Sequence, residues 1–155
     1  MTSDQPKTVI MGAGNILMKD DGIGVHAVRA LLGHEDIPDN VEIVDAGTAG
    51  ADCLLQYPDT ERLIIIDAVL GGGKPGTMYR LSPDDFRQAP QCKMSLHQMS
   101  LMDSLDASRL LGTQPREIII IGVEPAVIAE GMGMTRRVAS QLSKIVEIVL
   151  RLTSQ

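Results

Sequence analysis

The chain has 155 residues, 14 of them basic and 20 acidic, a length that suits one domain in which roughly 68–70% of the unfolded chain's surface is buried on folding. The acidic balance, with no basic run anywhere, argues against nucleic acid or an anionic membrane surface as partner and leaves a protein or a cation as the better guess. Two cysteines, an opening "MTSDQPKTVI" without a signal-peptide pattern, and no apolar run near the ~18 residues of a membrane span read as a soluble protein of a reducing cytoplasm.

The first apolar run, "TVIMGAG" (8–14), predicts a strand closing on Gly12 and Gly14. A dinucleotide-binding turn begins the same way, but Leu17 stands where its third glycine should pack helix on strand. The loop runs on instead through Asn15 to Asp20 and Asp21, and carboxylates facing a cleft repel phosphate and invite a cation. Ile23, Ala27, Val28, Leu31 and Leu32 then keep helical spacing, with His26 off the stripe and His34 past its end, both read as solvated surface groups. "VEIVDAG" (41–47) is a second strand carrying Asp45, and "RLIIIDAV" (62–69), nearly continuous in Ile and Leu, is a strand buried on both faces that closes on Asp67. The segment "GGGKPG" (71–76) turns it towards a fourth strand, "GTMYRL" (76–81). Ser95 and Gln98 have the spacing of a capping box, which puts His97 in the first turn of a helix, beside an apolar side running through Leu96, Met99 and Met102. There the positive end of the helix dipole disfavours imidazolium and leaves the ring a lone pair for a metal. "EIIIIGVEP" (117–125) is the last long strand and releases Glu124; Thr135 then caps a final helix with Val138, Leu142, Ile145, Val149 and Leu152 on one stripe.

Strands alternating with amphipathic helices predict a single three-layer α/β/α domain spanning the chain, with a twisted, mostly parallel sheet of about five strands. Ligands of such sheets bind beyond the carboxyl ends of the strands, near the point where strand order reverses. Asp20, Asp21, Asp45, Asp67 and Glu124 all leave strands at that edge. Helix capping or a turn explains any one of them, and the whole set less well. A histidine with two carboxylates is a mixed N/O set suited to nickel, zinc or iron. Other chemistries lack their residues: Lys74 is followed by Pro75 where a P-loop needs Ser or Thr, and neither H-E-x-x-H nor G-x-S-x-G occurs. Cys92, five residues before His97, reads more readily as an inert loop thiol than as a nucleophile.

Taken together, "GAGNILMKDDGIGVHAVRAL", "VEIVDAGTAGADCL", "LIIIDAV", "PGTMYRL", "SLHQMSL", "IGVEP" and "GMGMTRRV" occur in an order and spacing that resemble the hydrogenase maturation endopeptidases, over about residues 8–150. The resemblance implies removal of a short C-terminal extension from the precursor of a [NiFe]-hydrogenase large subunit. Cleavage would follow nickel insertion, with the nickel recognised on the precursor rather than held by the protease. It also implies a metal-binding site of Asp21, Asp67 and His97, with Asp45 nearby, bearing on activity and a candidate base. Many members carry glutamate at the first position, so the shorter Asp21 either draws the metal towards the first loop or shares the role with Asp20. Two rival readings remain: a non-enzymatic nickel-binding maturation factor that uses the same three ligands, and a nucleotide-binding oxidoreductase on a similar sheet, which Leu17 and the surrounding acids disfavour.

Overall fold

Thr8–Ala13 forms β1, buried at every residue, as a run apolar on both faces requires. Val41–Gly47 forms β2, Arg62–Ala68 β3, Met78–Leu81 β4 and Glu117–Val123 β5. They make one sheet in the order β2-β1-β3-β5-β4, parallel except for β4, which runs antiparallel to β5 along one edge. The computed structural model describes residues 7–89 and 92–154, so residues 1–6 of the stretch read for a leader lie outside it. No helix among the described residues is long and apolar enough to cross a membrane.

Side-chain alternation along the central strands sorts the helices into two layers. Ile64 and Ile66 of β3 pack in one cluster with Val28 and Leu31 of α1 (Ile23–Leu31) and with Ile145 and Val149 of α6 (Leu142–Thr153). Leu63 and Ile65 point the other way, into a cluster with Phe86 of α3 (Pro83–Gln88) and Leu101 and Leu105 of α4 (Leu96–Leu110); α2 (Gly50–Leu55) adds Cys53 and Leu54. The result is the expected α/β/α arrangement. The first turn of α1 lies directly on the sheet: a Cβ on Gly24 would come within 2.0 Å of the Ile66 carbonyl oxygen and 2.4 Å of that of Ala13.

Three local expectations are corrected. The buried side of α4 is Gln98, Leu101, Met102 and Leu105, whereas Leu96 and Met99 face solvent. The two stripes share Met102 and diverge towards the start of the helix, because Gln98 is polar by type yet buried by its hydrogen bonds. The C-terminal stripe is carried by two helices, α5 (Arg136–Ala139) and α6, and Thr135 at the head of α5 makes no side-chain cap. His26 is half-buried, with its Nε2 buried and lacking a hydrogen-bond partner among the described residues, so it is not a solvated group.

Candidate metal centre

The strand order turns outward in both directions from β1 and β3, so their carboxyl ends flank the switch point where such sheets open a crevice. Asp67 stands at the end of β3 in that crevice and is 2% exposed. Its Oδ1 accepts the Ala68 N–H at 2.8 Å and its Oδ2 accepts the Gln98 side-chain amide at 2.9 Å. Burial pushes its pKa up to about 8, against the opposing pull of His97 and of the Gln98 hydrogen bond, with the charge of Asp21 adding to the rise. Burial thus disfavours the charged form of Asp67, and a positive charge in the same site favours it.

Asp21 reaches the same point from a 3-10 turn, Lys19–Gly22, that follows β1. The Asn15 N–H donates to its Oδ2 at 2.9 Å. Gly14 makes this approach possible. It sits at φ +125°, and a Cβ there would lie 1.9 Å from the Asp21 carbonyl oxygen and 3.2 Å from Oδ1 of Asp67. The glycine pair that looked like a nucleotide turn thus clears room for two carboxylates.

His97 enters from the first turn of α4, whose Ser95–Gln98 capping box forms as the spacing predicts. Its Nε2 lies 3.7 Å from Oδ2 of Asp21 and its Nδ1 3.6 Å from Oδ2 of Asp67. The ring is largely buried, and Nε2 has no hydrogen-bond partner among the described residues. The Asp21 carboxylate raises the His97 pKa, outweighing the opposite effect of burial, and Asp67 adds to the rise. The helix-dipole argument for a neutral ring is overridden here, because two carboxylates at under 4 Å outweigh the partial charge of a helix end.

One ligand atom from each of Asp21, Asp67 and His97 lies within 4.8 Å of the others. Donors 2.0–2.2 Å from a shared ion stand at most about 4.4 Å apart, so a small side-chain rotation closes this set on a divalent cation. The His97 Nε2 without a hydrogen-bond partner among the described residues and the buried carboxyl of Asp67 both fit such an ion.

The other acids of the edge serve differently. Asp20 is fully buried and points away: its carboxylate accepts the N–H groups of Ala126, Val127 and Thr135 and the Thr135 hydroxyl, at 2.7–3.0 Å. Between the two neighbours, then, Asp21 joins the cluster and Asp20 does not. Glu124 is also buried, and through Oε1 it accepts the Gly71 and Gly73 N–H groups and the Tyr79 hydroxyl, pinning the glycine-rich turn. Asp45 is exposed and ion-paired with Arg29, Nε to Oδ2 3.2 Å, outside the cluster. It lines a groove of about 340 Å³ with Asn15, Leu17, Val25 and Thr48, which joins Asp45 to the loop that carries Asp21. Burial and Glu124 push the Cys92 thiol up, the wrong direction for a nucleophile.

Two participants escaped the sequence reading. Gln98 was visible only as a cap, and nothing in the spacing shows that the same amide spans to Asp67 and, at 2.7 Å, to the Ala68 carbonyl. Thr135 read as a cap and is a hydroxyl donor to Asp20 across 115 residues of chain.

Known proteins place this geometry in a family. A sequence profile described as hydrogenase maturation protease matches residues 25–152. The hydrogenase 2 maturation protease of Escherichia coli K12 is 37% identical over 145 residues, covering 93% of this chain and 88% of that one. The solved structure of the hydrogenase maturating endopeptidase HybD from E. coli superposes with a TM-score of 0.85 at 36% identity, covering 94% of this chain and 91% of that one. The [NiFe] hydrogenase maturation protease HybD of Thermococcus kodakarensis gives 0.77 at 31% identity, with coverages of 95% and 99%. Sequence over most of both chains and backbone over nearly all of the fold agree, and the chain belongs to the hydrogenase maturation protease family, as an endopeptidase of hydrogenase maturation.

Proposed function

We propose that this protease removes the C-terminal extension of a [NiFe]-hydrogenase large-subunit precursor, and that Asp21, Asp67 and His97 complete the coordination of a nickel ion carried by that precursor. The observation that supports this is the meeting of one imidazole and two carboxylates within 4.8 Å at the switch point of a hydrogenase maturation protease. Three ligands without a thiolate hold nickel only modestly, whereas the cysteines of a precursor hold it tightly. The ion is therefore substrate rather than a resident cofactor, and a shared site makes it the recognition signal. Held by these three residues, a nickel ion would supply Lewis-acid chemistry, to polarise a carbonyl or activate water.

The chain's own residues bind and orient. Burial disfavours the ionised form of Asp67, and a cation held beside it would favour that form by neutralising the charge that burial penalises. The Gln98 amide donates to Asp67 and the Asn15 N–H donates to Asp21, so each carboxylate is oriented by a hydrogen bond from outside the cluster. Asp45, at the far end of the groove, is placed to touch bound peptide; serving as the base that activates water would require it to leave Arg29. The free thiols of Cys53 and Cys92 support a reducing cytoplasm as the place of action.

The test offers nickel-free and nickel-loaded precursor to the same enzyme, with and without prior chelation of the protease, and reads product mass. Cleavage is expected only of the loaded precursor, and chelating the free protease should matter little. Equal cleavage of both precursors, or a strict need to preload the protease with metal, would overturn the mechanism.

A further inference from the structure

Between β5 and α5 the chain crosses from Ala126 to Thr135 as a strap without helix, and its one bridge pairs Gly131 with Met18, in the loop that leads to Asp21. Backbone hydrogen bonds join strap and loop: the Lys19 N–H donates to the Gly131 carbonyl, the Gly131 N–H to the Leu17 carbonyl and the Asp20 N–H to the Val127 carbonyl, at 2.9–3.1 Å. The Asp20 side chain completes the junction. It is fully buried, and its oxygens accept the N–H groups of Ala126 and Val127 at one end of the strap and the N–H and hydroxyl of Thr135 at the other. Both ends are anchored, since Glu124, two residues before Ala126, and Val138, three after Thr135, are themselves buried. A buried carboxylate is costly unless its lone pairs are used, and here four donors use them.

Asp21 is the next residue. It shares with Asp20 the 3-10 turn Lys19–Gly22, and three residues complete such a turn, so neighbouring side chains diverge by about 120°. Holding the direction of one therefore sets the direction of the other. Asp20 is turned to the strap and Asp21 to His97, whose Nε2 lies 3.7 Å from its Oδ2. The chain enters the turn through Lys19 at φ +48°, in the left-handed region that a residue with a side chain occupies at a cost. Such a backbone persists only where its surroundings impose it. The Lys19 bond to Gly131 and the Asp20 junction supply that constraint.

We propose that Asp20 is a positioning residue of the metal centre: by clamping the turn to both ends of the strap, it sets the place of the Asp21 carboxylate as a nickel ligand. The proposal rests on the reading of Asp21, Asp67 and His97 as the site that meets nickel. Asp20 is not itself a ligand, because the partners of its carboxylate all lie in the strap. The need for a clamp follows from the tolerance of a metal site, where ligand distances hold within about 0.2 Å. Asp67 stands on a buried strand and His97 on a 15-residue helix, whereas Asp21 stands on a turn of 4 residues. Of the three, Asp21 has the support that most needs fixing from outside.

The experiment titrates the protease with nickel alone, by calorimetry, at a temperature where circular dichroism shows each variant folded, and then measures cleavage of nickel-loaded precursor. Asp20→Asn keeps the side-chain shape but sets an amide N–H against the strap's donors, and Thr135→Val removes one donor while the carboxylate stays. The nickel dissociation constant should rise about tenfold or more in Asp20→Asn and about threefold in Thr135→Val, with kcat/KM lowered by similar factors. Val44→Ala, a core truncation in β2 outside the turn and the strap, lowers stability and should leave both quantities within about twofold of wild type. A merely structural role for Asp20 predicts that its variants behave like Val44→Ala. Wild-type nickel affinity in Asp20→Asn and Thr135→Val, with binding abolished in His97→Ala, would overturn the clamp alone. Nickel bound equally by wild type and His97→Ala would overturn the site reading and the clamp with it. Should Asp20→Asn fail to fold, Thr135→Val measured against Val44→Ala decides between the same two outcomes.

Discussion

Gln98 carries three hydrogen bonds that tie helix, strand and site together. Its amide oxygen accepts the Ser95 N–H, and its amide nitrogen donates to Asp67 and to the Ala68 carbonyl. The side chain is buried, as are Asp67 and Ala68, so neither of the two acceptors has water to fall back on. Leucine at this position would keep the volume and strip all three bonds, leaving a buried carboxylate and a buried carbonyl short of a donor. Gln98→Leu should therefore cost about 1–3 kcal/mol in urea unfolding and also slow precursor cleavage, through a free Asp67 rotamer. Full stability in that variant would show that the amide contributes nothing beyond the cap. At this scale the sequence showed residue types and short-range spacing well. It showed the Ser95–Gln98 box, three residues apart, and missed the Gln98–Asp67 bond across 31, because hydrogen bonds between distant residues leave no periodicity.

Among the elements, α1 is the most constrained. Gly24 seats it on β1 and β3, Ile23, Ala27 and Leu31 bury its inner face, and His26 is caught half-way, its Nε2 buried without a partner. Burial lowers the His26 pKa, and the nearby Arg29 lowers it further, from an ordinary 6.5. The unfolded chain then takes up a proton at a higher pH than the folded one, so this residue removes stability as pH falls through 6.5 and stops doing so below the lowered folded value. His97 works in the opposite sense, since its raised pKa adds stability below the unfolded value and loses it as pH rises. The difference between wild type and His26→Gln isolates the first effect: the variant should lose less stability than wild type between about pH 7 and about pH 5.5 in denaturant titrations. Parallel curves would mean that the buried nitrogen has found a proton acceptor. The strap is the second constrained element. Its lack of regular structure is offset by Asp20, which explains why a charged residue beside a metal-ligand candidate turns inward.

At the scale of the whole molecule, the sheet order places the ends of β1 and β3 together and brings α4 over them, so three residues separated by 46 and 30 positions (67 − 21 and 97 − 67) share one crevice. An ion bound there stabilises only the folded chain, since no other state assembles all three ligands. Added nickel should therefore raise the thermal midpoint of the wild type, by an amount corresponding to about 2.7 kcal/mol at a hundred times the dissociation constant. His97→Ala should abolish the shift. A midpoint in the variant that still rises with nickel would locate the ion elsewhere on the chain.

Residue type and local order alone determined the α/β class, the strands, the residues to watch and the family likeness, because hydrophobic period and short motifs are written along the chain. The carboxyl-edge rule and the family likeness named Asp21, Asp67 and His97 as one site, and they do meet, but the choice between Asp20 and Asp21 stayed open. Both are aspartates in one turn, and only folding turned one towards Thr135 and the other towards His97. The mis-set stripe of α4, the split of the last helix and the buried Gln98 have the same origin. Burial and long-range hydrogen bonds are decided by what lies opposite a residue in three dimensions, and a single sequence does not say which residues those are.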